Sequence, residues 1–264
     1  MPSGKSSKAV RNARSVVTST KPRPWGTMAA ILAVLVFALG IFYYLSTRYE
    51  NRRAFTPSAD NKDPSAQIEG VVIQSYGEAN RGHIGPDKRV AYDHSPPFGG
   101  PHDATWAACN GTIYETPVRN ENMVHSLEHG AVWIAYNPNL ITGPALQSLR
   151  DRMQGESYLM LSPYPGLDSP ISLQSWGHQL KLTDPADQRI DQFIQSLRIN
   201  QYTYPEIGAS CEALTGVFDP ANPPPFVAEP PGPDAIQMNF AGEDLTPAGG
   251  AAPPAPGAAP PAGE

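Results

Sequence analysis

Several features that would assign a familiar chemistry are missing from this sequence. It has no glycine-rich nucleotide-binding loop and no G-x-S-x-G elbow, so phosphate and serine-hydrolase chemistries have no support. It also has little basic charge, with 19 Lys and Arg against 25 Asp and Glu and a net charge of −6. Six of the basic residues lie within residues 1–24, and the acidic remainder lacks the concentrated basic face that nucleic acid requires. We therefore expect no nucleic-acid partner.

Charge is absent from residues 25–45, which read WGTMAAILAVLVFALGIFYYL. About 20 apolar helical residues cross a hydrocarbon core about 30 Å thick. Aromatic residues stand at both ends of this run, as they do at the two interfaces of a membrane. A cleaved secretory signal is the alternative, but its apolar region is usually shorter and ends in small residues. The sequence predicts a retained transmembrane helix at residues 25–46.

The charges that flank this helix predict its orientation. Six basic residues precede it, and three arginines follow it within residues 48–53. Because positive charge favours the cytoplasmic side, this moderate bias places the N terminus in the cytoplasm. We expect a single-pass cell-membrane protein with a disordered basic cytoplasmic tail over residues 1–24 and an extracytoplasmic C-terminal domain.

Cysteine is scarce, since Cys109 and Cys211 are the only two in the chain. An oxidising exterior favours joining them in a disulfide. Such a bridge closes a loop of about 100 residues, which in the chain-entropy account stabilises the fold by roughly 4.7 kcal/mol. Two separate reduced thiols are the alternative.

Proline and glycine mark the predicted domain boundaries. Residues 47–66 are polar, contain prolines and are expected to form a linker. Residues 215–264 are rich in Pro, Gly and Ala and are expected to form a disordered tail. The tail is either a solvated spacer or a segment that contacts envelope proteins or cell-wall polymer. Residues 67–214 remain as a single extracytoplasmic domain of ordinary size.

Short patterned segments within this domain predict both strands and helices. Strands are predicted at residues 68–76, 131–136, 158–161 and 180–182. Helices are predicted at residues 144–154, with Pro144 in the first turn, and at residues 184–197, capped by Asp184. Because these elements interleave without a regular βαβ repeat, we expect an α+β fold, a single compact ectodomain with a small mixed or antiparallel sheet.

All six histidines fall inside the predicted domain: His83, His94, His102, His125, His129 and His178. Taken singly, each is more often an ordinary hydrogen-bonded side chain than a ligand. His125 and His129 differ, because they lie one helical turn apart around Glu128 and neutral imidazoles so placed can share a metal. A short helix at residues 121–129, ended by Gly130, would place all three on one face. If the stretch is extended instead, Glu128 points away from the histidines.

A second candidate element is the loop SPPFGGPH at residues 95–102. Its prolines are rigid and its glycines allow close approach of the backbone, so the loop could hold His102 in place beside a ligand. The alternative is a connector that only packs Trp106 against the core.

These stretches resemble a known family. The blocks P-P-x-G-G-P-H at residues 96–102, V-H-S-L-E-H-G-A-V-W-I at 124–134 and S-P-Y-P-G at 162–166, with Pro205-Glu206 and Cys211 after them, are similar to an actinobacterial family of membrane-anchored proteins (domain of unknown function 3105). The similarity spans about residues 82–211. It implies a single-pass or exported architecture and a shortlist of residues, but no activity. The residues that match are His83, His102, His125, Glu128, His129 and both cysteines, whereas His94 and His178 are peculiar to this chain.

We favour the hypothesis that the domain binds or handles a transition metal, copper or zinc, outside the cytoplasm. The candidate ligands are His83, His102, His125, Glu128 and His129. His125 and His129 form the core pair in this hypothesis, since imidazoles suit both metals. Met123 could add a soft ligand for Cu(I), although a methionine at such a position is more often a core residue.

Two other classes of function stay open. One is a non-catalytic cell-envelope module whose His-Glu cluster is a buried structural network. The other is an inverted zinc peptidase, in which Glu128 activates water and a downstream carboxylate completes the metal ligands. Against the peptidase, the domain is small, a strand follows the motif directly, and residues 155–207 offer only Glu156, Glu206 and scattered aspartates. We therefore assign no enzymatic activity from the sequence.

Overall fold

The computed structural model describes residues 24–77 and 80–240 of the chain. The predicted disordered basic tail falls on residues 1–23, and the end of the predicted proline-rich tail falls on residues 241–264. Both of these predictions lie outside the described residues.

The first of two compact units, residues 1–49, contains a long apolar helix. Helix α1 spans Trp25–Ala54, and among the described residues it is the helix long and apolar enough to cross a membrane, with a mean hydropathy of 2.5. An N-terminal signal sequence meets the same criteria. The helix continues past the predicted end at residue 46 because no helix-breaking residue occurs before Pro57, which disfavours helix in the residue before it.

Residues 50–66 of the predicted linker are part of the second unit, residues 50–264. Phe55 lies against an apolar core cluster. Asp63 caps the short 3₁₀ helix Pro64–Gln67 and accepts a hydrogen bond from Nε2 of His178 at 3.1 Å. Because these partners lie far along the chain, the ordered domain begins before residue 67.

In the described residues, eight strands form a mixed six-stranded sheet and a separate two-stranded ribbon. The strands are β1 Val72–Ile73, β2 His83–Ile84, β3 His102–Asp103, β4 Asn110–Ile113, β5 Val132–Tyr136, β6 Leu159–Pro163, β7 Ile171–Ser175 and β8 His178–Leu182. The sheet order is β1-β8-β7-β5-β6-β4, with β6 parallel to β4 and β5 and the other pairs antiparallel. Strands β2 and β3 pair in parallel as the ribbon. The predicted α+β class with a mixed sheet is confirmed.

Three further α-helices accompany the sheet in the described part of the second unit. They are α2 Asn120–Glu128, α3 Gly143–Asp151 and α4 Arg189–Leu197. Helix α3 has a proline in its first turn, as expected. Helix α4 begins later than predicted, because Asp184 accepts from the N–H of Ala186 at 2.8 Å and Asp187 accepts from the N–H of Arg189 at 2.8 Å. Each carboxylate closes a turn, so Asp184 does not cap the helix.

Strand β5 shows how the core is divided by the sheet. Its five residues are all buried, and successive side chains point to opposite faces. Val132, Ile134 and Tyr136 pack into the cluster that contains the apolar faces of α3 and α4. Trp133 and Ala135 pack into the cluster that contains α2 and the disulfide. The sheet therefore lies between two apolar layers, which explains why AVWIAY is apolar throughout.

Strand β7 was not expected from the sequence, and the predicted strand at residues 68–76 shrinks to the two residues of β1. All of β7 is buried although Ser172, Gln174 and Ser175 are polar. Gln174 donates to the Ser172 hydroxyl, so part of the hydrogen-bonding capacity of these polar side chains is satisfied within the strand. A central strand of this kind has neither the alternating nor the continuous apolar pattern that identifies strands in sequences.

Cys109 and Cys211 are joined in a disulfide across 102 residues. The N–H of Cys109 also donates to the carbonyl of Cys211 at 2.9 Å. Because Cys109 directly precedes β4, the bridge fixes the chain around residues 205–212 against the sheet and α2.

Residues 215–240, within the predicted tail, contact the domain at several points. Phe218 is buried, and the ring of Phe226 lies 4.8 Å from that of Tyr164. The backbone of Ile236 exchanges hydrogen bonds of 2.9 Å with Arg89 and Ala91. This segment is extended and rich in proline, which has no backbone N–H to donate. Apolar residues spaced among the prolines hold it on the domain.

Candidate metal centre

The H-S-L-E-H-G stretch forms the last turn of helix α2 and its C-terminal end, as predicted. His129 caps the helix and Gly130 follows with φ +91°. A Cβ on Gly130 would lie 2.7 Å from the ring of Tyr204, so both the backbone conformation and the space require glycine. Helix residues 121–128 are all buried. The polar face of the helix is therefore covered by protein rather than by solvent.

The β2–β3 ribbon brings two more histidines to this face. His83 and His102 are directly paired in its register, and their ring centroids lie 5.0 Å apart. The proline-glycine loop ends at His102, whose Nδ1 donates to the carbonyl of Gly100 at 2.8 Å. Gly100 has φ +109°. The loop holds His102 in place, which is the first of the two roles considered for it.

Three histidines of the site share one hydrogen-bond pattern. Nδ1 lies 2.8 Å from the carbonyl of Gly100 in His102, 2.6 Å from that of Asp103 in His125, and 2.6 Å from that of Ser210 in His129. Since a carbonyl only accepts, each Nδ1 carries the hydrogen. In the neutral ring the lone pair is then on Nε2, the arrangement found in most metal-ligating histidines.

Four side chains form what we call the inner cluster: His83, His102, His125 and Glu128. Their potential ligand atoms all lie within 4.8 Å of one another. Oε2 of Glu128 is 2.7 Å from Nε2 of His102, and the ring of His125 lies 4.7 Å from that of His102 and 4.9 Å from that of His83. Three imidazoles and one carboxylate from α2, β2 and β3 thus face one point.

A second group, the outer cluster, consists of His125, His129 and Glu206, again with ligand atoms within 4.8 Å. Nε2 of His129 is 3.2 Å from Oε2 of Glu206, whose side chain is 42% exposed. The amide of Glu206 donates to the carbonyl of Glu128 at 3.2 Å. His125 belongs to both clusters. The predicted core pair of His125 and His129 is therefore brought together in the outer cluster, whereas the inner cluster contains His125 without His129.

Burial and mutual repulsion keep the central imidazoles in their neutral, ligating form. Burial, together with the charges of His102, His129 and His83, lowers the pKa of His125 well below its usual value. Burial and the neighbouring His102 likewise lower the pKa of His83. A hydrogen bond from His129 lowers the pKa of Glu206.

A buried ionic network lies next to the inner cluster and holds the elements that carry its histidines. The carbonyl of Asp103 orients His125, and its carboxylate pairs with the Arg119 guanidinium. Arg119 also contacts Glu121 at 3.3 Å, and Glu121 accepts from the N–H of Val90 at 3.0 Å. The network fixes β3 and α2 relative to each other, so that His102 and His125 converge.

Sequence reasoning missed Asp103, Arg119 and Glu206. Glu206 was set aside as a third ligand, because no sequence pattern links it to a motif about 80 residues earlier. Two signals point to it: Pro205-Glu206 belongs to the blocks that resemble the family, and Cys211, five residues later, is bridged to Cys109. The ring of Trp106 lies 4.8 Å from that of His129 and its Nε1 donates to the carbonyl of Glu212 at 2.7 Å, so it packs on the histidines.

Three residues considered from the sequence lie elsewhere. His94 contacts Asp93 at 3.0 Å and the ring of Phe98. His178 bonds Trp176 and Asp63. Met123 is fully buried in the apolar cluster, and two residues along a helix it lies on the side away from His125. The suggestion of Met123 as a soft ligand is therefore wrong.

The fold and the two clusters together define a class of protein, an α+β domain with a histidine-carboxylate candidate metal centre. Residues 83–213 match the model of a family described as protein of unknown function (DUF3105), and the domain belongs to this family. The match includes every residue of both clusters and both cysteines. No curated protein and no solved structure matches the chain.

Proposed function

We propose that this domain binds one transition-metal ion, Zn²⁺ or Cu²⁺, at the inner cluster of His83, His102, His125 and Glu128. The observation that carries the proposal is the environment of His102. Its Nε2 is buried and has no hydrogen-bond partner in the described part of the chain, although a Glu128 oxygen is 2.7 Å away. The carboxylate therefore does not lie in the direction of an N–H donor.

A bound cation accounts for this contact better than a structural network does. With its hydrogen on Nδ1, His102 has an acceptor at Nε2 that lies 2.7 Å from a Glu128 oxygen, and two acceptors so close repel each other. Two atoms that each lie about 2.0–2.2 Å from one ion, at angles of about 90–110°, are about 2.8–3.6 Å apart. The observed separation is close to that range. A structural network would instead satisfy the nitrogen, because an unpaired buried polar group costs about 1–3 kcal/mol.

The ligand set favours borderline divalent ions. Imidazole suits zinc and copper, and a carboxylate is a hard ligand that suits Zn²⁺ and Cu²⁺ better than Cu⁺. The set contains no sulfur, since both cysteines are bridged and Met123 packs in the core. We therefore exclude Cu⁺ from the proposal.

The proposal places the domain outside the cytoplasm and anchored to a membrane. The support is the apolar helix α1, long enough to span a bilayer, and the disulfide, which an oxidising compartment favours. Basic residues before the helix favour a cytoplasmic N terminus. We also propose that residues 241–264 contact envelope proteins or cell-wall polymer. Deleting them should lower sedimentation of the protein with isolated cell wall, and unchanged sedimentation would refute this contact.

The structure gives less support to peptidase chemistry. His125, His129 and Glu206 supply the three ligand types of an inverted zinc peptidase. Glu128, however, is buried against His102, whereas a general base must face water beside the metal. We therefore propose metal binding without assigning a reaction.

The test is the metal content of the full-length chain purified in detergent and incubated with Zn²⁺ or Cu²⁺. Wild type should retain one ion per chain after desalting. A His102→Ala/His125→Ala variant should lose it, and His94→Ala, a histidine outside both clusters, should retain it. Metal-free wild type under all these conditions, or a full equivalent of metal in the double variant, would contradict the proposal.

A further inference from the structure

The outer cluster points to a route by which the ion reaches the buried inner cluster. We propose that His125, His129 and Glu206 form an entry position, from which the ion passes to the inner cluster while it stays bound to His125. This inference rests on the metal-binding function proposed above. An ion can rest in the inner cluster without any outer cluster, and this inference gives the outer cluster a function of its own.

Exposure separates the two clusters. The side chain of Glu206 is 42% exposed, whereas those of His129, Glu128 and His102 are 2%, 4% and 0% exposed. His83 is half-buried, but its ring is stacked on that of His125. Glu206 is thus the most accessible ligand of either cluster. A carboxylate at the surface also attracts cations and raises their association rate.

His125 determines how the two positions are related. Its Nδ1 donates to the carbonyl of Asp103 at 2.6 Å, which leaves Nε2 as its one ligand atom. A single lone pair binds one ion, so His125 cannot complete both clusters at the same time. The clusters are therefore alternative positions for one ion, and transfer exchanges His129 and Glu206 for His83, His102 and Glu128.

The direction of transfer follows from the ligands. The inner cluster offers four ligands and the outer cluster three. The inner ligands are also better shielded from water, which strengthens their attraction for a cation. The ion should therefore rest in the inner cluster and occupy the outer one only during loading and release.

Two tryptophans allow the loading to be followed with Cu²⁺, which quenches nearby indole fluorescence. The ring of Trp106 lies 4.8 Å from that of His129, in the outer cluster, and the ring of Trp176 lies 5.9 Å from that of His102, in the inner cluster. The full-length protein in detergent is mixed with less than one equivalent of Cu²⁺ in a stopped-flow instrument. The variants are Glu206→Gln and, as a matched control, Glu212→Gln, an exposed carboxylate on the same segment that belongs to neither cluster.

Wild type and Glu212→Gln should load at the same rate and bind one ion at saturation. Glu206→Gln should load at least about tenfold more slowly, at the lower end of what local charge contributes to association rates, and still bind one ion at equilibrium. Loading of Glu206→Gln at the wild-type rate would overturn the inference. So would its loss of the equilibrium-bound ion, which would make Glu206 a permanent ligand, or tight binding of two ions by wild type. Wild type that binds no ion would refute the proposed function itself.

Discussion

Replacing Glu128 by Gln tests whether Glu128 is a metal ligand or a structural group. The two roles predict different changes in stability without metal and with it. The Glu128 carboxylate lies 2.7 Å from a His102 nitrogen that has no hydrogen-bond partner among the described residues. In the metal-free state a glutamine removes the negative charge beside this nitrogen, and an amide that turns toward its lone pair gains about 0.5–1.5 kcal/mol. Against this, the variant loses the 3.9 Å contact between Glu128 and the partly exposed Arg81, worth about 0.2–1 kcal/mol.

The net change in the metal-free state is therefore small, between a destabilisation of about 0.5 kcal/mol and a stabilisation of about 1.3 kcal/mol. A change of 1 kcal/mol moves the melting temperature of a domain of this size by about 2–4 °C. With metal present the variant should be clearly less stable than wild type. Metal at 100 times its dissociation constant stabilises wild type by about 2.7 kcal/mol, and the variant, which lacks one ligand, should lose most of that gain.

The assay is thermal unfolding of the full-length chain, followed by circular dichroism in EDTA and again in excess Zn²⁺. Glu115→Gln is the control, since the Glu115 carboxylate pairs with Arg150 at 2.7 Å and belongs to neither cluster. It should be destabilised equally in both conditions. The reasoning is refuted if Glu128→Gln melts well below wild type in EDTA and Zn²⁺ shifts neither protein.

Three further predictions concern the framework around the site. Replacing Cys109 and Cys211 together by Ala should lower the free energy of unfolding by up to about 4.7 kcal/mol, measured in urea, and a loss below about 1 kcal/mol would contradict it. Burial alone would raise the pKa of Asp63, but hydrogen bonds from His178 and Ser65 lower it in the folded protein. The stabilisation contributed by the ionised Asp63 carboxylate is therefore present above pH 3.8 and is lost as the pH falls through the lowered pKa of the folded state. Asp63→Asn should accordingly be less stable than wild type at pH 7 and equally stable in strong acid, and an equal difference at both pH values in urea unfolding would count against this. Ending the chain at residue 214 should lower the melting temperature, whereas ending it at residue 240 should not, and equal melting of both truncations would contradict the packing of residues 215–240.

Local features of the site could be predicted from the sequence because they depend on neighbours in the chain. The spacing of His125, Glu128 and His129 with Gly130 after them specifies a short helix with one polar face, and the structure has it. The loop that ends in His102 is likewise fixed by its own prolines and glycines. The disulfide was predictable because the chain has only two cysteines.

The assembly of the site could not be predicted, because it depends on long-range pairing. The strand that carries His83 has two residues, too few for any periodic pattern, and it exists because it pairs with β3. The contact between His129 and Glu206 joins residues far apart in sequence. Helix periodicity also places His125 and His129 on one face without showing that their partners differ.

The disulfide also has a consequence for the order in which the domain matures. The bridge holds the segment that supplies both Glu206 and the Ser210 carbonyl, which together orient His129. Before oxidation this segment has no covalent link to Cys109, and its position beside α2 depends on non-covalent contacts alone. A chain that crosses a membrane unfolded and is oxidised afterwards would complete its metal entrance only on the far side. Cytoplasmic ions would then have little access to the site, and the metal it carries would be selected by the compartment in which the protein folds.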